Sequence, residues 1–556
     1  MWTQNYDPLG NWALSTAVAA IPIVVLLGLL ISEKAGAWQS ALAGLGSAML
    51  LAVLVFGMPA QMAVAAAGYG MVFALFRIVW LIIAAVFLYD IAVKTGQFDV
   101  MKRSIAGLTA DRRLQAVLIA FSFGAFIEGA AGFGAPVAIS AAFLVGLGFR
   151  PFQAAVLCLI ANTAPVAWGS IGTPIRTLAT VTGLDVESLS ATSGRILPFL
   201  SLIIPFWLVR TMTGWRETFA VWPALLVMGG TFAAAQFAWS NFVGFELVDL
   251  VSAVASLIAG VIVLKIWKPR EEWRFPEDAG REVIVHKDVL TAKRMIRAWM
   301  PFGLLSVMVL IWGLPPVKKA MDAHTSSKPE MRAIHYTIAK GEAVTGTATV
   351  EEKAKQKDKF FEKAAMDIVP VSSTGTAVFV AAVLSGFLLG LKPGEMLRTL
   401  AGTIWRLRPA MAAIFAMLAL GFVTKFSGMD AVLGLAFTRT GPLLYPIFGT
   451  FLGWLGVALT GSDTSSNVLF GNLQTITAKK LELSPILMAS ANTTGGVMGK
   501  MIDAQSIVVA AAATGEAGKE GDILRAVVWH SVALAFLVGI IVWLYAHVFP
   551  GAVVGG

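Results

Sequence analysis

One cysteine, Cys158, occurs in 556 residues, and it lies inside an apolar run. A lone thiol excludes a disulfide framework and any Cys-x-x-Cys motif, and it packs as a small hydrophobe. Of the five histidines only His530 and His547 fall in an apolar run, at its opposite ends, so a buried haem or metal pair is excluded and no cofactor is expected. The chain contains no G-x-x-x-x-G-K-[ST], which removes a P-loop and ATP as the energy source. Nor is there a nucleophile-and-base pair to indicate an enzyme.

Charge is scarce too. Charged residues make up 13% and hydrophobic residues 57% of the chain, with a mean hydropathy of +0.77; a soluble domain carries roughly 25% charge. Length alone would divide the chain into several soluble domains of about 150 residues. Apolar runs of spanning length recur almost from end to end, however, so a single membrane transport domain over 1–556 is expected. The net charge of +9 does not imply a nucleic-acid partner. Lys and Arg sit mostly in short segments between apolar runs, as membrane orientation requires. No Lys or Arg precedes Lys34, so "ALSTAVAAIPIVVLLGLLI" lacks the basic flank of a signal peptide and reads as a retained first helix. Lys34 and the later group Lys94, Lys102, Arg103, Arg112 and Arg113 favour an external N-terminus.

What remains is an all-α polytopic pattern of roughly a dozen transmembrane helices plus half-length pieces. Two polar stretches interrupt it, a connection at 267–298 and an insert at about 315–369 whose "EEKAKQKDKFFEKAA" reads as a solvated helix face. The apolar pattern also repeats. Glu128, a glycine break, "FRPF" and "ANTAPVAWGSIGTPI" are matched by Asp463, a Ser/Thr/Gly break, "LSPI" and "ANTTGGVMGKMIDAQSI". Acid to proline is 23 residues to Pro151 and 22 to Pro485; proline to Asn162 is 11 and to Asn492 is 7. These repeat cores, about 114–181 and 441–514, point to a secondary transporter with its site at the repeat interface.

Backbone that leaves the helix inside a bilayer persists only where it is buried in protein or lines a cavity. Four such breaks are expected, at "EGAAGFGAP", "TGSDTSSN", "NTAPVAWGSIGTP" and "NTTGGVMG". A half-helix N-terminus carries free N–H donors and suits a carboxylate. Around the breaks Asn162, Thr163, Thr464, Ser465, Ser466, Asn467, Asn492, Thr493, Thr494 and Gln505 offer bonds to a substrate hydroxyl; alternatively they cap and cross-link helices. Isolated charges at membrane depth are functional candidates. Glu128 and Asp463 are candidate proton-coupling groups, and Lys500 either neutralises a bound carboxylate or holds a structural pair with Asp463 or Asp503. Arg176 and Arg77 admit both functional and structural roles.

"EGAAGFGAPVAI", "LIANTAPVAWGSIGTPI", "LTGSDTSSNVLFGNLQ" and "NTTGGVMGKMIDAQSI", with the opening "WTQNYDPLGNW", resemble the bacterial L-lactate permease family over essentially the full length. The resemblance implies an inner-membrane carrier of about a dozen spans that moves L-lactate, D-lactate and glycolate in symport with a proton. It also implies two inverted repeats with re-entrant hairpins. Family motifs fall on Glu128, Asp463, Asn492, Thr493 and Lys500. Asp503 and Arg176 depart from the family pattern. A sodium-coupled carrier and an anion channel for small monocarboxylates are the competing readings.

Overall fold

The computed structural model describes residues 1–31, 35–106, 108–130, 132, 135–275, 291–345, 357–366, 368–516 and 519–554. It is a helical membrane protein. Six helices among the described residues are long and apolar enough to cross a bilayer alone, seven if the bent pair Pro151–Ala161 and Val166–Thr182 counts as one span; five shorter apolar helices accompany them. That criterion by itself stops short of a dozen. Outward-facing positions are apolar as well: Leu54, Phe242, Ile266 and Trp529 are mostly exposed, which suits contact with lipid rather than water.

Two packed cores lie side by side. In one, Ala37–Leu54 and Ala60–Ala74 pack on the 35-residue helix Pro393–Ser427. In the other, Val186–Thr213, Trp222–Phe242 and Val248–Ile266 pack in series, and Gly441–Thr460 packs on Pro485–Gly499. The broken segments of the first half belong to the second core, and Gly169–Thr182 also packs on Asp463–Lys480.

The helix ends follow local chemistry. Pro151 and Pro485 occupy first-turn positions of their helices, where the missing N–H costs no hydrogen bond. Ser462 and Ser484 accept N–H bonds from Ser465 and Leu487 as N-caps. The run 428–459, apolar throughout in sequence apart from Asp430 and Arg439, is divided into Met429–Phe437 and Gly441–Thr460, with Gly441 at φ +75° in the joint.

Ala292–Gly313 joins the polar connection to the polar insert, and its 22 residues make about 33 Å of helix. At the connection end, buried Arg113 pairs with Asp111 at 2.6 Å and with Glu217 at 2.9 Å, and Trp273 N–H donates to Asp111. At the insert end, Trp2–Thr3 pairs in parallel with Ile338–Ala339, and Tyr69 donates its hydroxyl to the Ala365 carbonyl. The N-terminal segment and the insert therefore fold together over one end of the molecule.

Candidate functional site

The segment 112–130 contains a π-helical stretch, Val117–Phe123, and ends in Gly124–Ala130 with Glu128 in its last turn. The chain then returns as Ala135–Gly146, and Arg112 donates to the Leu147 carbonyl at 2.6 Å, so entry and exit lie side by side. Pro151–Ala161 enters again and breaks at 162–168. Beyond the break, Ser170, Ile171 and Gly172 have φ of +46°, +58° and +74°. Left-handed conformation costs a non-glycine residue roughly 1–2 kcal/mol, and for β-branched Ile171 it is a genuine outlier.

Packing holds this strained turn. A Cβ on Gly172 would stand 2.7 Å from the Phe245 ring, and one on Gly169 would stand 2.5 Å from Glu128 Oε1. The freed backbone is served by side chains. Gln236 donates to the Ala164 carbonyl at 3.2 Å and accepts from Ser201, while Asn467, from the other half of the chain, donates to the Pro174 carbonyl at 3.2 Å. Glu128 Oε2 and both amide atoms of Asn162 are buried with no hydrogen-bond partner among the described residues.

In the second half, Gly441–Thr460 ends at Gly461 with φ +71°, and Asp463 opens the returning helix Asp463–Lys480. The break expected at "NTTGGVMG" is not there. Pro485–Gly499 runs through it unbroken, and the chain leaves the helix at Lys500–Asp503. The glycines serve helix contact instead: a Cβ on Gly453 would strike the Asn492 carbonyl, one on Gly495 the Thr450 carbonyl and one on Gly499 the Trp454 carbonyl. Small residues four apart allow such backbone approach in membranes.

A buried polar network follows. Thr493 donates its hydroxyl to Asp463; Asn467 donates to Thr493 at 2.9 Å; Asn492 donates to Asn467 at 2.9 Å; Gln474 donates to Asn492 at 3.2 Å and accepts from Tyr445 at 2.8 Å. The Asp463 carboxyl lies where a Gly496 Cβ would sit, as Glu128 lies against Gly169. Lys500 donates to the Gly461 carbonyl at 2.6 Å and pairs with Asp503 at 3.1 Å. Asp503 accepts from Ser506 N–H at 2.7 Å, so it caps Ala504–Thr514.

The candidates from the sequence thus separate into groups. Glu128, Asn162, Asp463, Asn467, Asn492, Thr493 and Lys500 are buried around the breaks. The hydroxyls of Thr163, Ser466 and Thr494 bond backbone carbonyls, those of Ile160, Gly453 and Ser490; Ser465 enters through its N–H, bonded to Ser462, and Thr464 is half-buried. The side chains of Gln505 and Arg77 lie outside the described residues. Arg176 is directed elsewhere, to Glu246 at 3.2 Å and Thr374 at 2.8 Å.

Sequence reasoning missed Asp249, Gln236, Gln474 and Tyr445. Asp249 is 1% exposed, in the first turn of Val248–Ile266, and a Cβ on Gly129 would stand 2.8 Å from its Cβ. The signal was present, since it is an acid inside a run, 243–264, whose length and hydropathy resemble those of a span. Electrostatically Asp249 acts with Glu128, Glu128 with Lys500 and Asp503, and Asp463 with Lys500. The breaks therefore gather four buried carboxyls, Glu128, Asp249, Asp463 and Asp503, around one buried ammonium, Lys500, among the described residues.

The sequence profile of the L-lactate permease family matches residues 15–549. The glycolate permease GlcA of Escherichia coli (strain K12) is 44% identical over 100% of this chain and 99% of its own length. The L-lactate permease of Bacillus subtilis (strain 168) is also 44% identical, over 99% of each chain. Among solved structures, MtrF of Neisseria gonorrhoeae, described as illuminating a class of antimetabolite efflux pumps, is 13% identical with a TM-score of 0.44, covering 86% of this chain and 82% of that one. The family profile over residues 15–549 and the 44% identity to these permeases over nearly the whole chain show that the chain belongs to the L-lactate permease family.

Proposed function

We propose that this protein carries L-lactate, D-lactate and glycolate across the bacterial inner membrane in symport with a proton, with its N-terminus outside. The observation that carries the coupling is the charge balance at the breaks, four buried carboxyls against one buried ammonium among the described residues. Burying an unpaired ion costs several kcal/mol even after relaxation. A site already rich in acids therefore admits a further carboxylate only when protons accompany it. The names of the relatives supply the substrate class, and the buried amide of Asn162, beside Glu128, supplies donor and acceptor capacity for a 2-hydroxycarboxylate.

In this reading the two broken halves are inverted repeats. Glu128 and Asp463 are the coupling acids, and Asn162, Asn467, Asn492 and Thr493 bind or frame the substrate. Lys500 moves between Asp503 and the bound carboxylate. In sodium-free proteoliposomes, an inward proton gradient is expected to drive lactate uptake above the external concentration. Uptake that followed only a sodium gradient would sink the proposal, and transport without saturation or counterflow would replace the carrier with a channel.

A further inference from the structure

We propose that Asp249 is a further proton-carrying carboxyl of this site beside the coupling acids Glu128 and Asp463, and that it shares with Glu128 a proton moved with the substrate. The inference rests on the proton-coupled reading above and adds a residue to it. Asp249 is 1% exposed, and neither carboxylate oxygen has a hydrogen-bond partner among the described residues. It forms no ion pair there either. Its helix packs directly on the turn that carries Glu128, because Gly129 has no side chain to hold them apart: a Cβ there would also stand 3.0 Å from Leu250 N. Glu128 Oε2 is likewise buried and unpartnered.

Among the described residues the surroundings contain no spare cation. Trp222–Phe242 and the π-helical Val117–Phe123, both packed on Val248–Ile266, have no titratable residue. Gly169–Thr182 contributes Arg176, which pairs with Glu246 and lies over the Phe245 ring at 4.8 Å. Lys500 and Asp503 face Glu128 from the second half and are bonded to each other. For Asp249, which has neither cation nor donor among the described residues, the ionised form is the one such a place excludes, so its O–H bond is retained. Loading forms one O–H bond on the pair, and release breaks that same bond and returns the proton to water. No oxidant, reductant or co-reactant enters.

Asp249→Asn is close in shape to the neutral acid and removes no hydrogen bond, so the variant is expected to fold. Infrared difference spectra of the purified protein during pH titration should contain a carboxylic-acid carbonyl band in wild type that is absent from D249N. A band unchanged in D249N overturns the inference whatever transport does. In proteoliposomes D249N is expected to exchange lactate but neither to accumulate it under a proton gradient nor to respond to pH; accumulation at the wild-type level overturns the inference while leaving symport intact. A wild-type protein that ignores the proton gradient removes the symport reading itself and this inference with it. If D249N fails to reach the membrane, Asp249→Glu serves instead. It should keep coupling with a displaced pH midpoint and carbonyl band, and an unmoved midpoint and band count against the assignment.

Discussion

Glu128 stands in the last turn of its helix and Asp463 in the first turn of its own, so the helix dipoles act on the two carboxylates with opposite sign. Each effect is about 0.3–1 kcal/mol. Asp463 also accepts from Thr493 and Asn467, and hydrogen bonds to a charged group contribute roughly 1.5–3 kcal/mol each. Asp463 Oδ2 thus has donors that Glu128 Oε2 lacks, while Asp463 Oδ1 is buried without a partner among the described residues. Asp249 gains from its own helix start by the same 0.3–1 kcal/mol at most, against several kcal/mol for a buried unpaired ion, and burial wins. Glu128→Gln is therefore expected to abolish gradient-driven accumulation and leave lactate exchange running, as counterflow in proteoliposomes would measure. Asp463→Asn should likewise abolish accumulation while exchange continues, because its amide oxygen still accepts from Thr493 and Asn467, which both donate to Oδ2, but the proton-binding carboxyl is gone. Accumulation at the wild-type level in Asp463→Asn would deny it a coupling role. Both acids were legible in the sequence as lone charges. Their inequality was not, because it depends on which side of a break each one falls.

At the scale of elements, each half of the site is a pair of interrupted helices held by contacts that tolerate no added atom. Pro485 and Pro151 each stand at a first-turn helix position, a placement with a local cause. The Gly495–Gly496 stretch was misread as a break because glycine serves equally to interrupt a helix and to let two helices touch. Only the partner decides, and here it is Gly441–Thr460, whose Thr450 carbonyl fills the space over Gly495. Gly495→Leu should cost about 1–3 kcal/mol through overpacking, seen as a lower melting temperature in detergent together with lost lactate exchange. An unchanged melting temperature would show that these helices are not in close register. The left-handed run at Ser170–Gly172 left no sequence mark beyond its glycine, since Ile171 is a residue that local rules keep out of that region.

At the scale of the molecule, the two polar stretches lie at the two ends of Ala292–Gly313, and one of them folds back over the N-terminus. Gln4, 4% exposed, donates to the Lys425 and Phe426 carbonyls at 3.0 Å each and so satisfies the end of Pro393–Ser427. Tyr6 donates to Gln4 and accepts from Gly341 N–H, and burial pushes its phenol up, which keeps the donor proton in place at any physiological pH. Gln4→Ala should destabilise the protein by about 1–3 kcal/mol, the penalty for a buried polar group left unpaired. Limited proteolysis of the insert should accelerate in parallel. A variant that melts with wild type and resists protease equally would mean that the N-terminal segment does not anchor this end.

Composition by itself determined that the chain is a helical membrane protein. A bilayer imposes one requirement, long apolar helices with scarce charge, that any stretch of sequence meets or fails independently of the rest. Motif spelling determined the family, and the lone charges pointed to the neighbourhood of the site. Tertiary structure decided which acids have partners, which glycines break a helix and which join two, and that Asp249 stands beside Glu128. Those outcomes depend on groups brought together from separate helices, such as Asp463 and Thr493, 30 residues apart, and no local pattern records what will lie opposite a side chain once the helices pack.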